Sequence, residues 1–250
     1  MRKCLLTFAL LALVAPTVLA AADETERVNH RLKMEPGGTL RLKNFSGRVT
    51  IAASDGDEVV VDAVRRGPGA RLARITLDVH AEGANVVVVD ANHRERSWFE
   101  FTGNNVVETD LDITLPRRTN LDVAVFSSPV TIEGVEGSHT VHSFSARLSL
   151  NDVAGPIKAH TFSGTVVIRA RSWEPSQTID VDTFSGNVEL HLPESARGSI
   201  SFNSFSGHLN SEMPLTLHNT NQRSLRADLG GGGDGRLRFK TFSGSVKIDR

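Results

Sequence analysis

His142, His160 and Asp182 are the residues of this chain whose types and spacing could do chemistry together. Each stands two residues before a phenylalanine (Phe144, Phe162, Phe184) in successive copies of one repeated phrase. If each copy forms one layer of a stack, the three side chains form a column with steps of about 4.8 Å. Two imidazoles and a carboxylate make a ligand set that zinc accepts. The competing expectation is a solvated polar column, because the same position in other copies carries Lys43, Ala124, Asn203 and Lys240.

Paired carboxylates offer a second chemistry. Asp110 with Asp112, and Asp180 with Asp182, are two residues apart, hence on one face of a strand and about 6–7 Å from each other. That separation is in the range of a glycoside-cleaving acid and base. Such pairs also serve simply to keep a sheet face wet and its edges unpaired, and no accompanying acid–base partner or aromatic subsite is visible. Gly230 to Gly235 satisfies G-x-G-x-x-G, but Arg236 to Thr241 reads as a strand. The helix N-terminus that would hold a pyrophosphate is missing. Serines recur in the turns, at Ser163, Ser185, Ser206 and Ser243, with no G-x-S-x-G elbow and no fixed His–Asp pair, so they read as turn residues. No catalytic residue and no cofactor is implied.

The element that positions these side chains is the phrase itself. Thr161-Phe162-Ser163-Gly164 returns at Thr183 and Thr241, with looser copies from Asn44, Val125, Ser143 and Ser204. Three residues before the phenylalanine every copy is apolar: Leu42, Val123, Val141, Ala159, Val181, Phe202 and Phe239. One residue before it the side chain is small or β-branched, and both positions share a strand face. After the Ser-Gly pair the apolar residues have the wrong parity for one straight strand, as in Val166 and Ile168. The chain must therefore turn there, with glycine taking the unusual dihedrals. Repetition of strand, corner, strand, corner in about twenty residues predicts an all-β fold, a parallel β-solenoid (β-helix-like) of short repeated strands with Ser-Gly corners. Simple alternation sends the phenylalanine itself outward. A repeated exposed phenylalanine is unfavourable, so a bulge that swings it inside is expected; the alternative is an outer ladder that something covers.

Phenylalanines 126, 144, 162, 184 and 205 are spaced by 18, 18, 22 and 21 residues. The gap of 37 to Phe242 suggests one degenerate layer between Met213 and Leu229. The gap of 81 from Phe45 to Phe126 suggests either worn layers or a separate sandwich-like section. Ahead of Phe126 short alternating segments read as strands: 39–45, 48–52, 58–65, 75–81, 85–90 and 106–115. Trp98, Phe99 and Phe101 stand in a polar interruption at 94–105 and are expected to cover one end or flank of the stack; the alternative is an exposed aromatic patch for a partner or sugar.

Residues 1–20 have a basic start, an apolar run from Leu5 to Val14, Pro16, and small residues at Val18 and Ala20, the layout of a secretory signal peptide. The run is short for a membrane span, so no transmembrane span is expected after cleavage. The only cysteine, Cys4, lies in that segment, and removing Arg2 and Lys3 takes the formal charge from −1 to −3. Disulfides and thiolate metal sites are thereby excluded, and so weak a balance gives no field to attract nucleic acid. Residues 21–36 read as a loose polar leader and 37–250 as the strand-repeat domain, with regular layers from about 121.

In the order Gly38–Ile51, Asp57–Val61, Leu115-Pro116 with Leu121–Val123, and then the Thr-Phe-Ser-Gly phrases, the chain resembles a known family. These are the secreted bacterial β-strand-repeat proteins called putative adhesins, domain-of-unknown-function family 4097. The resemblance implies a stack of parallel strands and an envelope location, and it brings no catalytic residues. The expected function is a non-enzymatic periplasmic or envelope module that binds a protein or a glycan, with self-association through the ends of the stack as a further contact. The alternative is a carbohydrate-active enzyme on the same fold.

Overall fold

A computed structural model describes residues 23–94, 106–221 and 223–250. The signal segment and the aromatic stretch around Trp98 lie outside the described residues. The first section comprises β1 (Asp23–Lys33), β2 (Thr39–Ser46), β3 (Val49–Ser54), β4 (Glu58–Pro68) and the single helical turn α1 (Gly69–Leu72). It continues with β5 (Ile75–Glu82), β6 (Val86–Arg94) and β7 (Glu108–Pro116). The second comprises β8 (Asn120–Ser127), β9 (Val130–Glu133), β10 (His139–Ser145), β11 (Leu148–Val153), β12 (Ile157–Ser163) and β13 (Val166–Ala170). The third holds β14 (Thr178–Ser185), β15 (Val188–His191), β16 (Gly198–Ser204), β17 (Leu209–Ser211), β18 (Leu215–Asn221), β19 (Ser224–Leu229), β20 (Gly235–Thr241) and β21 (Val246–Asp249).

These strands form two sheets. One runs β18-β19-β16-β20-β14-β12-β10-β8-β2-β6-β5, the other β1-β4-β7-β3-β9-β11-β13-β15-β21-β17. Every copy of the phrase contributes its first strand to the first sheet and its second strand to the other. Within the phrase region the pairing is parallel and in register; for example Ala159 stands between Val141 and Val181. Gly164 (φ +131°) lies where the chain leaves β12 for β13. The inward rows of both sheets, including Val141, Ala159, Val181, Leu150, Ile168 and Leu190, belong to one apolar core. Each layer hides the apolar edge of its neighbours, which is how short strands without cysteine obtain a continuous core.

Four expectations need correction. First, the phenylalanines are not buried: Phe45, Phe126, Phe144, Phe162, Phe184, Phe205 and Phe242 are 40–54% exposed. Period-two alternation holds to the end of each first strand, and no bulge intervenes. The rings cover one another instead, stacked at centroid distances of 4.5–5.0 Å. Second, Phe45 lies directly on Phe126, so no run of worn layers separates them; the chain between them leaves the ladder and supplies one layer without the phrase beyond β2 and β3, β6 pairing in parallel with β2 and β7 with β3. That excursion adds β4 antiparallel to β7 and β5 antiparallel to β6.

Third, no layer fills the span from Met213 to Leu229. Residues 215–229 form the antiparallel pair β18–β19 on the outer side of β16. The last phrase, β20 and β21, inserts between the layers of β14/β15 and β16/β17. Fourth, the polar leader is structured: β1 pairs along its whole length with β4. Arg65 on β4, 3% exposed, is held there by Glu26 of β1 and by the Ile75 carbonyl. Val28 and Leu32 pack against the core. A mostly charged strand can still close a sheet edge when alternate positions point inward.

Candidate functional site

Stacking the layers turns three phrase positions into three parallel rows on the outer face of the first sheet. The outermost is the phenylalanine ladder, in spatial order Phe45, Phe126, Phe144, Phe162, Phe184, Phe242, Phe205. Six steps of strand spacing make it roughly 29 Å long. Beside it runs the row two residues earlier: Ala124, His142, His160, Asp182, Lys240 and Asn203, partly or fully exposed. Between the two rows, at the position before each phenylalanine, Ser143, Thr161, Thr183, Thr241 and Ser204 are buried.

Ladder and polar row together bound a groove of about 1060 Å³, reaching from Ala124 and Phe144 to Phe205 and Phe242. A smaller section of about 290 Å³ continues it past Phe45 and Phe126, sharing Ala124 and Val125. The turn between β18 and β19 closes the other end with Asn221, Arg223 and Ser224. Asn221 Oδ1 accepts hydrogen bonds from the backbone N–H groups of Arg223 (3.0 Å) and Ser224 (2.8 Å), which fixes this turn. Arg223 lays its guanidinium 4.6 Å from the centre of the Phe205 ring, a cation–π contact that finishes the ladder.

His142, His160 and Asp182 do share one register column, since His160 pairs with His142 on one side and with Asp182 on the other. The imidazoles stack in parallel, with centroids 5.1 Å apart and planes 5° from one another. Two nitrogens on one zinc ion can be at most about 4.2 Å apart at ordinary bond lengths, so the stacked rings do not converge on a common ion. Among the described residues no group of three His, Cys, Asp or Glu side chains is close enough to hold a metal. Burial lowers the pKa of His160, and the neighbouring His142 and Lys158 add to the effect.

Three of the four paired carboxylates, Asp110, Asp112 and Asp180, face arginines. Asp110 accepts from Arg48 N at 2.8 Å and from Arg66 at 2.8 Å, and Asp112 pairs with Arg48 at 3.3 Å. Burial pushes the Asp110 carboxyl up, but the Arg48 N–H and the Arg66 guanidinium outweigh it and leave it below the usual carboxylate range. A general acid needs the opposite shift. Asp180 faces Arg238 at 3.4 Å. The glycine stretch 230–235 joins β19 to β20, with a strand where a nucleotide site would need a helix.

Sequence reasoning reached the columns, Lys240 included, and missed Arg223 with its turn. The signal was present as an Asn-x-Arg turn between two alternating segments, but its place over Phe205 depends on the antiparallel pair β18–β19.

Comparison with solved structures returns chains of low identity. A putative cell adhesion protein from Clostridium sporogenes is similar at a TM-score of 0.55 and 9% identity, over 90% of this chain and 99% of its own. A putative adhesin from Bacteroides fragilis reaches 0.34 at 10% identity, over 89% and 97%. A putative lipid binding protein from Parabacteroides distasonis reaches 0.27 at 6%, over 89% and 96%. Only the first bears on the fold. Among curated proteins there is no match. The model of the Toastrack DUF4097 family matches residues 108–249, more than half of the chain and six of the seven phenylalanine layers, and the chain belongs to that family.

Proposed function

We propose that this protein is an exported, non-enzymatic binding module of the bacterial cell envelope, built as a parallel β-solenoid whose corners fall at or beside the Ser-Gly pairs. In this reading the groove beside the phenylalanine ladder is its binding surface. One observation carries the proposal: seven phenylalanines, each 40–54% exposed, lie in one unbroken outer row. Exposed apolar rows of that length on a monomer mark contact surfaces. Export is supported by the signal-like pattern of residues 1–20, and among the described residues no helix is long and apolar enough to cross a membrane. The solenoid reading is supported by the parallel register of seven two-strand layers, two of which carry Ser128 and Ala146 in place of glycine. Of the stack ends, β1 is guarded by Asp23, Glu24, Glu26, Arg27, Arg31 and Lys33, charges that oppose pairing with another copy. The β18 end, with Leu217 58% exposed, is the one open to self-association.

A photo-crosslinking amino acid placed at Phe162 tests the reading in intact envelopes, with the same group at Glu189 on the outer face of the second sheet as comparison. Defined adducts from position 162 and few from 189 are expected. Equal labelling from both faces would contradict a specific surface at the ladder. Release of reducing ends from envelope polysaccharide by the purified protein would overturn its non-enzymatic character.

A further inference from the structure

Resting on that reading of the groove, we propose that its occupant is a single-chain anionic amphiphile of the fatty-acid type. The hydrocarbon lies along Phe144, Phe162, Phe184 and Phe242, and the anionic head sits at Arg223 and Lys240. The ladder limits what a ligand can touch. The rings of the ladder are parallel to within 2–4° along this section, so each ring face is spent on the next ring. Only ring edges remain. A sugar recognised by aromatic stacking needs an open ring face, and the one free face at this end lies under Arg223. A methylene chain makes no such demand, because apolar contact is non-directional and scales with the area covered.

Shape points the same way. Identical side chains at one register position give a straight stripe without branches or side pockets, which suits an extended unbranched chain better than a peptide with alternating side chains. From Phe144 to Phe205 the ladder takes four steps, roughly 19 Å. The hydrocarbon of one membrane leaflet is about 15 Å deep, half of the bilayer core, so the section accommodates one ordinary acyl chain lengthwise.

Charge supplies the polarity of binding. The groove ends in Arg223, with Lys240, Asn203 and Asn221 around it. Among the described residues no ion pair joins Lys240 or Arg223 to a carboxylate. The groove lining contains one carboxylate, Asp182, in register beside Lys240, so two cations face one anion at the closed end. At the other end the groove continues past Ala124, where a chain tail needs only apolar cover.

The test uses the purified full domain, with palmitate below its aggregation threshold and an environment-sensitive apolar dye as an independent groove probe. Palmitate should bind, displace the dye, and protect a crosslinker at Phe162 from labelling. Phe162→Ser/Phe184→Ser should abolish binding of both. Arg223→Gln/Lys240→Gln should weaken palmitate at least tenfold while leaving hexadecanol and the dye unchanged. Circular dichroism confirms that each variant is folded. Dye binding that depends on the two phenylalanines without palmitate binding would overturn this inference and leave the groove as a binding surface. Failure of the native domain to bind either the dye or palmitate would overturn the two together. Palmitate affinity indifferent to Arg223 and Lys240 would remove the head site. Binding to phosphatidylglycerol vesicles with no binding of monomeric palmitate would replace the acyl ligand by a membrane surface.

Discussion

Gly164→Val should destabilise the protein by about 3–5 kcal/mol, read as a shift of the urea midpoint with the slope unchanged. Gly164 takes φ +131°, where a β-branched residue is strained by about 1–3 kcal/mol. A side chain there would also run into the backbone of the neighbouring layer, since a Cβ at Gly164 overlaps the carbonyl oxygen of Ala146. Overpacking against a fixed backbone costs about 1–3 kcal/mol more. The crowding recurs down the stack: a Cβ at Gly186 meets Gly164, one at Gly244 meets Gly186, and one at Gly207 meets Gly244. Gly83→Ala is the comparison. Gly83 also has positive φ (+70°), but nothing lies within 4 Å of its added Cβ. Only the conformational term of about 1–2 kcal/mol applies there. If the two substitutions proved equal, the close approach of successive turns would not be what glycine is needed for.

His139→Ile should abolish most of a stability loss that the native protein shows between about pH 6.5 and pH 4. His139 is fully buried on β10, in register with Leu121 and Ile157. It is a single imidazole in a row otherwise filled by leucine and isoleucine. Nε2 lies 3.3 Å from the Ala154 carbonyl, while Nδ1 has no partner. Burial lowers its pKa to about 4, only partly offset by the neighbouring Ala154 and Val135 carbonyls. The sign follows directly. Below about pH 6.5 the unfolded chain takes up a proton that the folded chain refuses until about pH 4, so stability falls with pH across that window. A depression of this size corresponds to roughly 3 kcal/mol at the acid end. Isoleucine matches its neighbours and does not titrate. Denaturation at pH 7.5 and pH 4.5 should therefore show a steep loss for the native protein and a shallow one for the variant. The lowered carboxyls of Asp110 and Asp152 add losses at lower pH that both proteins share. Parallel pH curves would mean that His139 carries its proton inside the fold.

Much of this architecture was legible because strand alternation is a strict local rule. Leu42, Val123, Val141, Ala159, Val181, Phe202 and Phe239 fall inward as their spacing requires. The strands 39–45, 58–65 and 106–115 stand within a few residues of β2, β4 and β7. The same rule placed the phenylalanines outside, and hydrophobicity argued against it. Alternation prevailed because layers at strand spacing let the rings shelter one another. What failed was order in space. Spacing along the chain cannot say that β20 enters between β14 and β16, nor that 215–229 folds back antiparallel, since either path satisfies the same inward rows. The charged β1 was unreadable for a related reason: its partner β4 is 35 residues away in the middle of the pairing, where Val28 meets Ala63, and edge strands carry little apolar signal. For the site, the His142, His160, Asp182 column followed from register, whereas Arg223 needed the β18–β19 turn to bring it over Phe205.

Layer order is tested most directly by paired cysteines in a Cys4→Ser background, Cys4 being the only native cysteine. Phe184 and Phe242 are 58 residues apart in the chain but adjacent in the ladder at 4.9 Å, within reach of a disulfide. Phe184 and Phe205 are closer in sequence yet two steps apart, roughly 9.6 Å. Mild oxidation should lock Phe184→Cys with Phe242→Cys rapidly and leave Phe184→Cys with Phe205→Cys reduced. The reverse pattern would place the layers in chain order and dismantle the ladder, the groove and its closed end as described.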